Sequence, residues 1–536
     1  MKRELVLALS LLTLGAAQAP DRASVEGIVL RTGTSEPVAN VDVALTLSNS
    51  PTPTPLPIAG SNAIRVKTDS TGKFVFSDLA PGRYNFAATR DGFIRQRRSG
   101  PTSITVAAGQ QMKDVRVSLT PTGTVSGRVI DENGEPRTVA VEILSEAYRD
   151  GVRGLVIERG GAKSDDRGEY RVPNLAPGKY YLRAMPANEQ DAFAPSYYPG
   201  VPSPDEAIPV TVGAGADVAQ INWQLLTRNL HVVKLKVTGM LPGNTNVMFF
   251  PQPKGSGRIT MGGRLTPFEQ VGDTWTSPPL AAGSYEIGIV ARPPLPPLGT
   301  ILPTRGQWVG VTFEIRDEDV DLGTVTMKPG YVLTGHVAGQ VAPNLRVRLS
   351  FVGTGTLPID VVSSPASVAA DGTFTLTEVK EQRFKVELQS LPAADYIESA
   401  TYKGHDVLND GIFVDGDYGP LEIAIAAGGS VKGVANNSKD APIAGVRVVL
   451  IPAANRRGPA VRFPSAMSDE SGAFSFSGLR PGDYGVLAIE DNAAVSDVYW
   501  EDPDFLKEYE TRAKKVAVTA ATSSLVTLRT ITVTGK

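Results

Sequence analysis

Apolar and polar residues alternate in short runs along most of this chain. Phe74 and Phe76 stand two apart, as do Tyr84 and Phe86, and Val41-Asp42-Val43-Ala44-Leu45 continues the pattern. A period of two places such side chains on one face of a strand, so each run predicts a half-buried β-strand. The runs are punctuated by turn residues. Asp69 and Gly72 suit the first and fourth positions of a type I turn, and Ala80-Pro81-Gly82 suits a type II turn with positive φ at its glycine. One short helix interrupts the β pattern: Asp502-Pro503 supply a cap and a first position, with Phe505 and Tyr509 on one side.

The pattern repeats. Residues 69–86 read DSTGKFVFSDLAPGRYNF, residues 165–182 read DDRGEYRVPNLAPGKYYL, and residues 469–486 read DESGAFSFSGLRPGDYGV, each expected to form a hairpin. Two divergent copies keep Trp275 with Tyr285 and Phe374 with Phe384. In all five the paired aromatics stand ten residues apart, and the second members follow one another at intervals of 96, 105, 99 and 100 residues. Upstream lie an alternating strand ending near a glycine (Gly27, Gly127, Gly335, Gly433) and a proline turn. Val233-Lys234-Leu235-Lys236-Val237 takes that strand's place in the third copy. A repeat of about a hundred residues with several short strands indicates an all-β fold, a tandem array of about five antiparallel β-sandwich modules. The expected division is 1–19 leader, then modules over 20–120, 121–227, 228–329, 330–428 and 429–536, the third and fourth being divergent.

The G-x-V strand, proline turn, V-x-V strand and D-x-x-G-x-F-x-F-x-x-L-x-P-G-x-Y segment together resemble the carboxypeptidase regulatory-like domain. The resemblance implies a transthyretin-like or immunoglobulin-like sandwich, of a fold often classed with carbohydrate-binding domains and related to the B-type repeats of bacterial surface adhesins. It implies an accessory module and no peptidase activity. B-type repeats often carry a Lys–Asn crosslink; Lys432 sits on a first strand, but Leu525 to Thr534 offers no Asn, so none is expected.

The first residues set the compartment. Lys2 and Arg3 precede an apolar run from Leu5 to Leu14 and then Gly15-Ala16-Ala17-Gln18-Ala19, the grammar of a secretory leader, with cleavage expected after Ala17 or Ala19. No later apolar stretch is long enough to span a bilayer, so the mature chain is expected to be secreted or periplasmic. With no cysteine there is no disulfide, no thiolate chemistry and no lipid-attachment site. Removing Lys2, Arg3 and Glu4 with the leader leaves 51 basic and 55 acidic residues, a formal charge of −4. That balance lacks the positive field that holds nucleic acid.

Candidate chemistry is sparse. The three histidines are His231 in the third module and His336 and His405, 69 residues apart, in the fourth, and no nucleophile elbow, zinc-protease helix motif or phosphate loop is present. Catalytic residues, metal ligands and cofactors are therefore expected to be none. Asp69, Asp165, Asp469, the cluster Asp317-Glu318-Asp319 with Asp321, and Asp415 with Asp417 are better explained as turn caps than as calcium ligands. The proline-rich pieces Pro51–Pro57 and Pro293–Pro303 are read as stiff loops.

The residues singled out for binding are aromatic. Tyr197 and Tyr198 follow Tyr180 by 17 and 18 residues, and Tyr499 and Trp500 follow Tyr484 by 15 and 16. In an extended segment one ring of each pair would be buried and the other exposed, where it suits a sugar face, with Glu501 and Asp502 ready to accept hydroxyls; the alternative is that both rings of each pair seal the sandwich edge, as buried aromatics do in small β cores. The function expected is an exported, non-catalytic binding or scaffold protein whose partner is a polysaccharide or another envelope protein. The alternative is a structural spacer without a small ligand.

Overall fold

The computed structural model describes residues 22–47, 63–95, 103–149, 151–187, 193–226, 230–253, 268–293, 307–352, 364–416, 419–469, 471–491 and 499–533. The leader, Pro51–Pro57, Pro294–Pro303 and Asp417 lie outside these residues. The chain divides into two compact units, Met1–Asp91 with Ser99–Leu119, and Gly92–Arg98 with Thr120–Lys536. Among the described residues strands dominate and the one α-helix is Pro503–Tyr509. No described helix is long and apolar enough to cross a membrane.

In the first unit, strand Ala23–Arg31 pairs antiparallel with Lys73–Leu79 and parallel with Gln111–Pro121. A second sheet runs Ile64–Lys67, Asp42–Leu47, Gly82–Thr89, Ser103–Val106. Alternation delivers Val25 and Val29 from one sheet, and Val43, Leu45, Tyr84 and Phe86 from the other, into one core. The second unit repeats this arrangement, with separate cores spanning Val125–Leu225, Val233–Met327, Leu333–Ile425 and Val431–Leu528. The sheets are mainly antiparallel, but the opening strand of each repeat lies parallel to a closing one, as in Gly429–Asn436 beside Ser523–Val533. In that last repeat the closing strand also pairs with Gly482–Asp491 and joins both sheets into one.

The expected hairpin is corrected to an arch. Lys73–Leu79 and Gly82–Thr89 are not paired with each other; they belong to opposite sheets. The same holds for Glu169–Leu175 with Gly178–Pro186 and for Thr373–Val379 with Gln382–Gln389; Ala473–Leu479 and Gly482–Asp491 are likewise unpaired, separated by Gly429–Asn436 and Ser523–Val533 within the joined sheet. The cause is a bulge: Asp78, Asn174, Glu378 and Gly478 take φ of 58°, 62°, 58° and 62°, and the ladder to the opening strand slips there. A left-handed residue followed by the turn swings the chain out of one sheet and into the other. Tyr170 with Tyr180, Phe374 with Phe384 and Phe474 with Tyr484 therefore enter one core each from strands that are not paired with each other.

Three further contacts hold the arches of the first, second and last repeats, and the first of them recurs in the third. The tyrosine after the turn donates its hydroxyl to the carbonyl four residues back: Tyr84 to Ala80 at 2.8 Å, Tyr180 to Ala176 at 2.8 Å, Tyr285 to Ala281 at 2.9 Å and Tyr484 to Arg480 at 2.8 Å. The turn before it closes through Gly72 N to Asp69 O, Gly168 N to Asp165 O and Gly472 N to Asp469 O. Just ahead of that turn a buried hydroxyl bridges two main-chain groups. Thr68 bonds Val41 N and Val38 O, Ser164 bonds Val139 N and Arg137 O, and Ser468 bonds Val446 N and Ile443 O. Each satisfies a donor and an acceptor that burial would otherwise leave unpaired.

The opening-strand glycine has a steric reason. Gly27, Gly127, Gly335 and Gly433 lie opposite Phe74, Tyr170, Phe374 and Phe474. In three of them the ring crosses the glycine: an added Cβ would stand 2.4, 2.2 and 2.7 Å from Cζ of Phe74, Phe374 and Phe474. At Gly127 it would meet Ile221 O at 2.0 Å. Where Leu235 replaces the glycine, its partner Trp275 is displaced to a half-buried place and leans on Phe249, 5.0 Å between centroids.

Candidate functional site

The four aromatic residues singled out for binding sit on the outer faces and edges of two sheets. Ser196–Tyr197 adds a short strand beside Gly178–Pro186, placing Tyr197 opposite Arg183. Tyr197 is 2% exposed and packs with Leu144 and Leu155 on the sheet's outer face. Beneath it Arg183 donates from Nε to Glu142 Oε2 at 2.8 Å. Burial opposes that charge, but Tyr197 and Glu142 outweigh it and hold the guanidinium pKa above its ordinary value. Tyr198 turns the other way, half-buried, its ring 5.9 Å from the Trp223 ring at the core edge.

At the second place the chain is not extended. Tyr499–Glu501 forms one turn of 3-10 helix leading into Pro503–Tyr509, so the opposite-face expectation does not apply there. Trp500 is 2% exposed, packs with Val449, Ile451, Phe463, Leu487 and Ile489, and has the Arg447 guanidinium 4.6 Å from its ring centre. Tyr499 is half-buried, edge-on to Trp500 and to Phe505 at 5.3 Å each. This insertion thus covers the outer face of the last repeat's second sheet.

The two carboxylates expected to meet hydroxyls are engaged within the fold. Glu501 is buried and accepts from Arg462 Nη1 at 2.8 Å and Phe463 N at 3.0 Å. Asp502 caps the helix by accepting from Asp504 N at 2.8 Å and also receives Arg153. A second pair, Arg457 with Glu510, clasps the far end of the insertion, and hydrogen bonding from Arg457 holds the Glu510 carboxyl below its ordinary value.

The turn aspartates are likewise committed. Asp69 Oδ1 accepts from Thr71 N, Thr71 Oγ1 and Lys73 N at 2.8, 2.8 and 3.0 Å. Asp165 accepts from Arg167 N and Glu169 N, and Asp469 from Ser471 N, Ser471 Oγ and Ala473 N. Asp319 accepts from Val232 N, Asp321 from Gly323 N, and Asp415 pairs with Lys403. Among the described residues no group of three or more His, Asp and Glu side chains is placed to hold a metal ion. His336 lies 3.7 Å from Glu422, His405 stands at the edge of the same sheet beyond two intervening strands, and His231 stands on another sheet.

The sequence reading missed the bridging hydroxyls, although their signal is plain: Thr68, Ser164 and Ser468 each immediately precede the turn aspartate. It also missed Arg457 and Arg462, whose partners lie 53 and 39 residues away.

No curated protein matches the chain. Solved structures similar to it include the minor pilin GBS52 of Streptococcus agalactiae, 17% identical over 38% of this chain and 95% of that one, with a TM-score of 0.22. They also include the major pilin subunit BcpA of Bacillus cereus, 12% identical over 76% and 99%, TM-score 0.15. A third is the Bacillus anthracis TIE protein, 14% identical over 57% of this chain, TM-score 0.17, and the chain spans about half of that protein's length, 51%. Residues 24–120 match the family model of the carboxypeptidase regulatory-like domain, so the first repeat is similar to that domain from its opening strand to its closing one.

Proposed function

We propose that the protein is an exported, non-catalytic scaffold of five β-sandwich modules, divided near residues 120, 227, 329 and 428. One observation carries the reading: the polar residues that recur with the repeat are used inside the fold. Tyrosine hydroxyls go to their own arch carbonyls and turn aspartates to their own amides. What the repeat preserves is therefore architecture, and repetition of architecture makes length and surface.

Binding to a polysaccharide or to another envelope protein is the narrower form of this proposal. Of the four aromatic residues, Tyr198 and Tyr499 keep partial exposure and are the rings such a partner would meet. The test is fractionation of the native host with mass spectrometry of the mature N-terminus, followed by retention on insoluble polysaccharide and cell-wall fractions. Export requires an N-terminus at Gln18 or Pro20; a chain retaining Lys2 overturns it. Retention that falls in Tyr198→Ala with an unchanged melting temperature supports the narrower reading, and absence of retention in the parent removes it.

A further inference from the structure

Within the unit that contains residues 120–536, stretches far apart in sequence converge on the insertion that carries Trp500 and on the segment 453–464 against which it packs. The hairpin of Val139–Arg149 and Val152–Lys163 turns at Gly151, where an added Cβ would stand 3.0 Å from Pro459 Cβ. Two residues on, Arg153 donates from Nε to Asp502 Oδ2 at 2.9 Å and from Nη2 to Oδ1 at 2.6 Å, and it also bonds Asp504. Asp502 is 349 residues from Arg153. From another side Asn409 O accepts from Ala460 N at 3.0 Å, and Asn409 Nδ2 donates to Asn455 O at 3.3 Å.

We propose that the hairpin tip and the insertion form an intramolecular latch, in which Arg153 clasps the Asp502–Asp504 pair and holds the sandwich of residues 123–225 against that of residues 429–533. The clasp is bidentate on Asp502, the geometry in which Arg–carboxylate bonds are strongest and most directional. Its acceptor is preorganised, because Arg462–Glu501 and Arg457–Glu510 pin the insertion from beneath. Asp502 is 18% exposed, so its charge is partly shielded from water, whereas Arg153 and Asp504 are 45% and 59% exposed. Tyr148 on the same hairpin feels the contact: burial first, then Asp502 and Glu501, raise its hydroxyl pKa.

An exposed ion pair is worth little between free molecules. Here the intervening chain tethers the partners, so closure is intramolecular and a weak contact suffices. The same exposure makes the latch salt-sensitive. When it opens, the hairpin tip and the insertion are uncovered together, and the array lengthens.

The native chain has no cysteine, so Gly151→Cys with Pro459→Cys introduces one pair only. Oxidation of the full-length double variant is expected to yield an intrachain disulfide, seen as faster non-reducing migration and a peptide joining residues 151 and 459. Because Gly151 has φ of +83° and strains a cysteine, a second arm uses small-angle scattering of Arg153→Glu. Its radius of gyration should exceed the parent's in low salt. Added to the cysteine pair, Arg153→Glu should also lower crosslink yield by about two- to fivefold, the factor equivalent to one such ion pair. Parent protein moved from about 0.05 M to 0.5 M salt should expand towards the variant. Crosslinks only between chains overturn the latch, and so does an unchanged radius of gyration in Arg153→Glu together with absence of the intrachain bond. Crosslinking at parental yield in the Arg153→Glu background removes Arg153 as the clasp.

Discussion

Gly433 should be the least replaceable small residue of the last sandwich. It pairs with Phe474 on one side and with Val526 on the other. A Cβ there would stand 1.9 Å from Val526 O and 2.7 Å from Phe474 Cζ. Its φ lies outside the left-handed region, so Gly433→Ala carries no dihedral strain and tests contact alone. The ring end can move, but the carbonyl belongs to a paired closing strand and cannot yield without breaking its ladder. Overpacking a core costs about 1–3 kcal/mol, occasionally more, and the backbone obstacle places this substitution at the upper end. A cost of about 3 kcal/mol raises the open population roughly a hundredfold. Hydrogen exchange read by mass spectrometry on Gly429–Asn436 and Ala473–Leu479 should accelerate by that factor. Gly213→Ala is the control, since its Cβ would touch only the Ala216 methyl at 3.6 Å. Equal exchange in Gly433→Ala and parent would refute the steric argument for all four opening-strand glycines.

Tyr484→Phe should lower stability by about 1 kcal/mol through loss of the bond to Arg480 O, and Tyr484→Ala by about 3–5 kcal/mol, both read from denaturant midpoints. Trp500→Ala should cost about 3–5 kcal/mol and loosen Pro503–Tyr509 in hydrogen exchange, because the ring anchors the insertion. Acid should destabilise the fold. Glu510 is held below its ordinary value of 4.5 by Arg457, so its share of stability is present above that value and is lost as pH falls through the lowered one. The melting temperature should therefore be flat from about pH 8 to 5 and fall below about pH 4. Arg457→Gln should remove part of that fall; an unchanged acid limb would contradict it.

Strand positions and inward faces were legible because alternation is local: Phe74, Tyr84, Phe374 and Phe474 point where their spacing says. Which strand lies beside which was not. A two-residue period and a Pro-Gly turn serve a hairpin and an arch equally. The residue that decides between them, Asp78 or Asn174 in the left-handed region, reads as an ordinary polar position. The parallel pairing of opening and closing strands depends on neighbours some ninety residues apart. At the aromatic segments, the recurrence of rings was visible but their environment was not. Tyr197 and Trp500 are covered by residues from other strands, and Tyr499–Glu501 coils because Pro503 and the Asp502 cap start a helix just after it. Arg153 carries no sequence signal for Asp502 at all; only the folded chain brings them together.

Each repeat is a self-contained sandwich whose recurring residues build its own core. The decisive experiment expresses residues 429–536 alone and follows circular dichroism through thermal unfolding. A β-sheet spectrum and one cooperative transition are expected, since the Val431–Leu528 core and its covering insertion lie wholly within that fragment. A fragment that is unfolded, helix-rich or melts without cooperativity would contradict it.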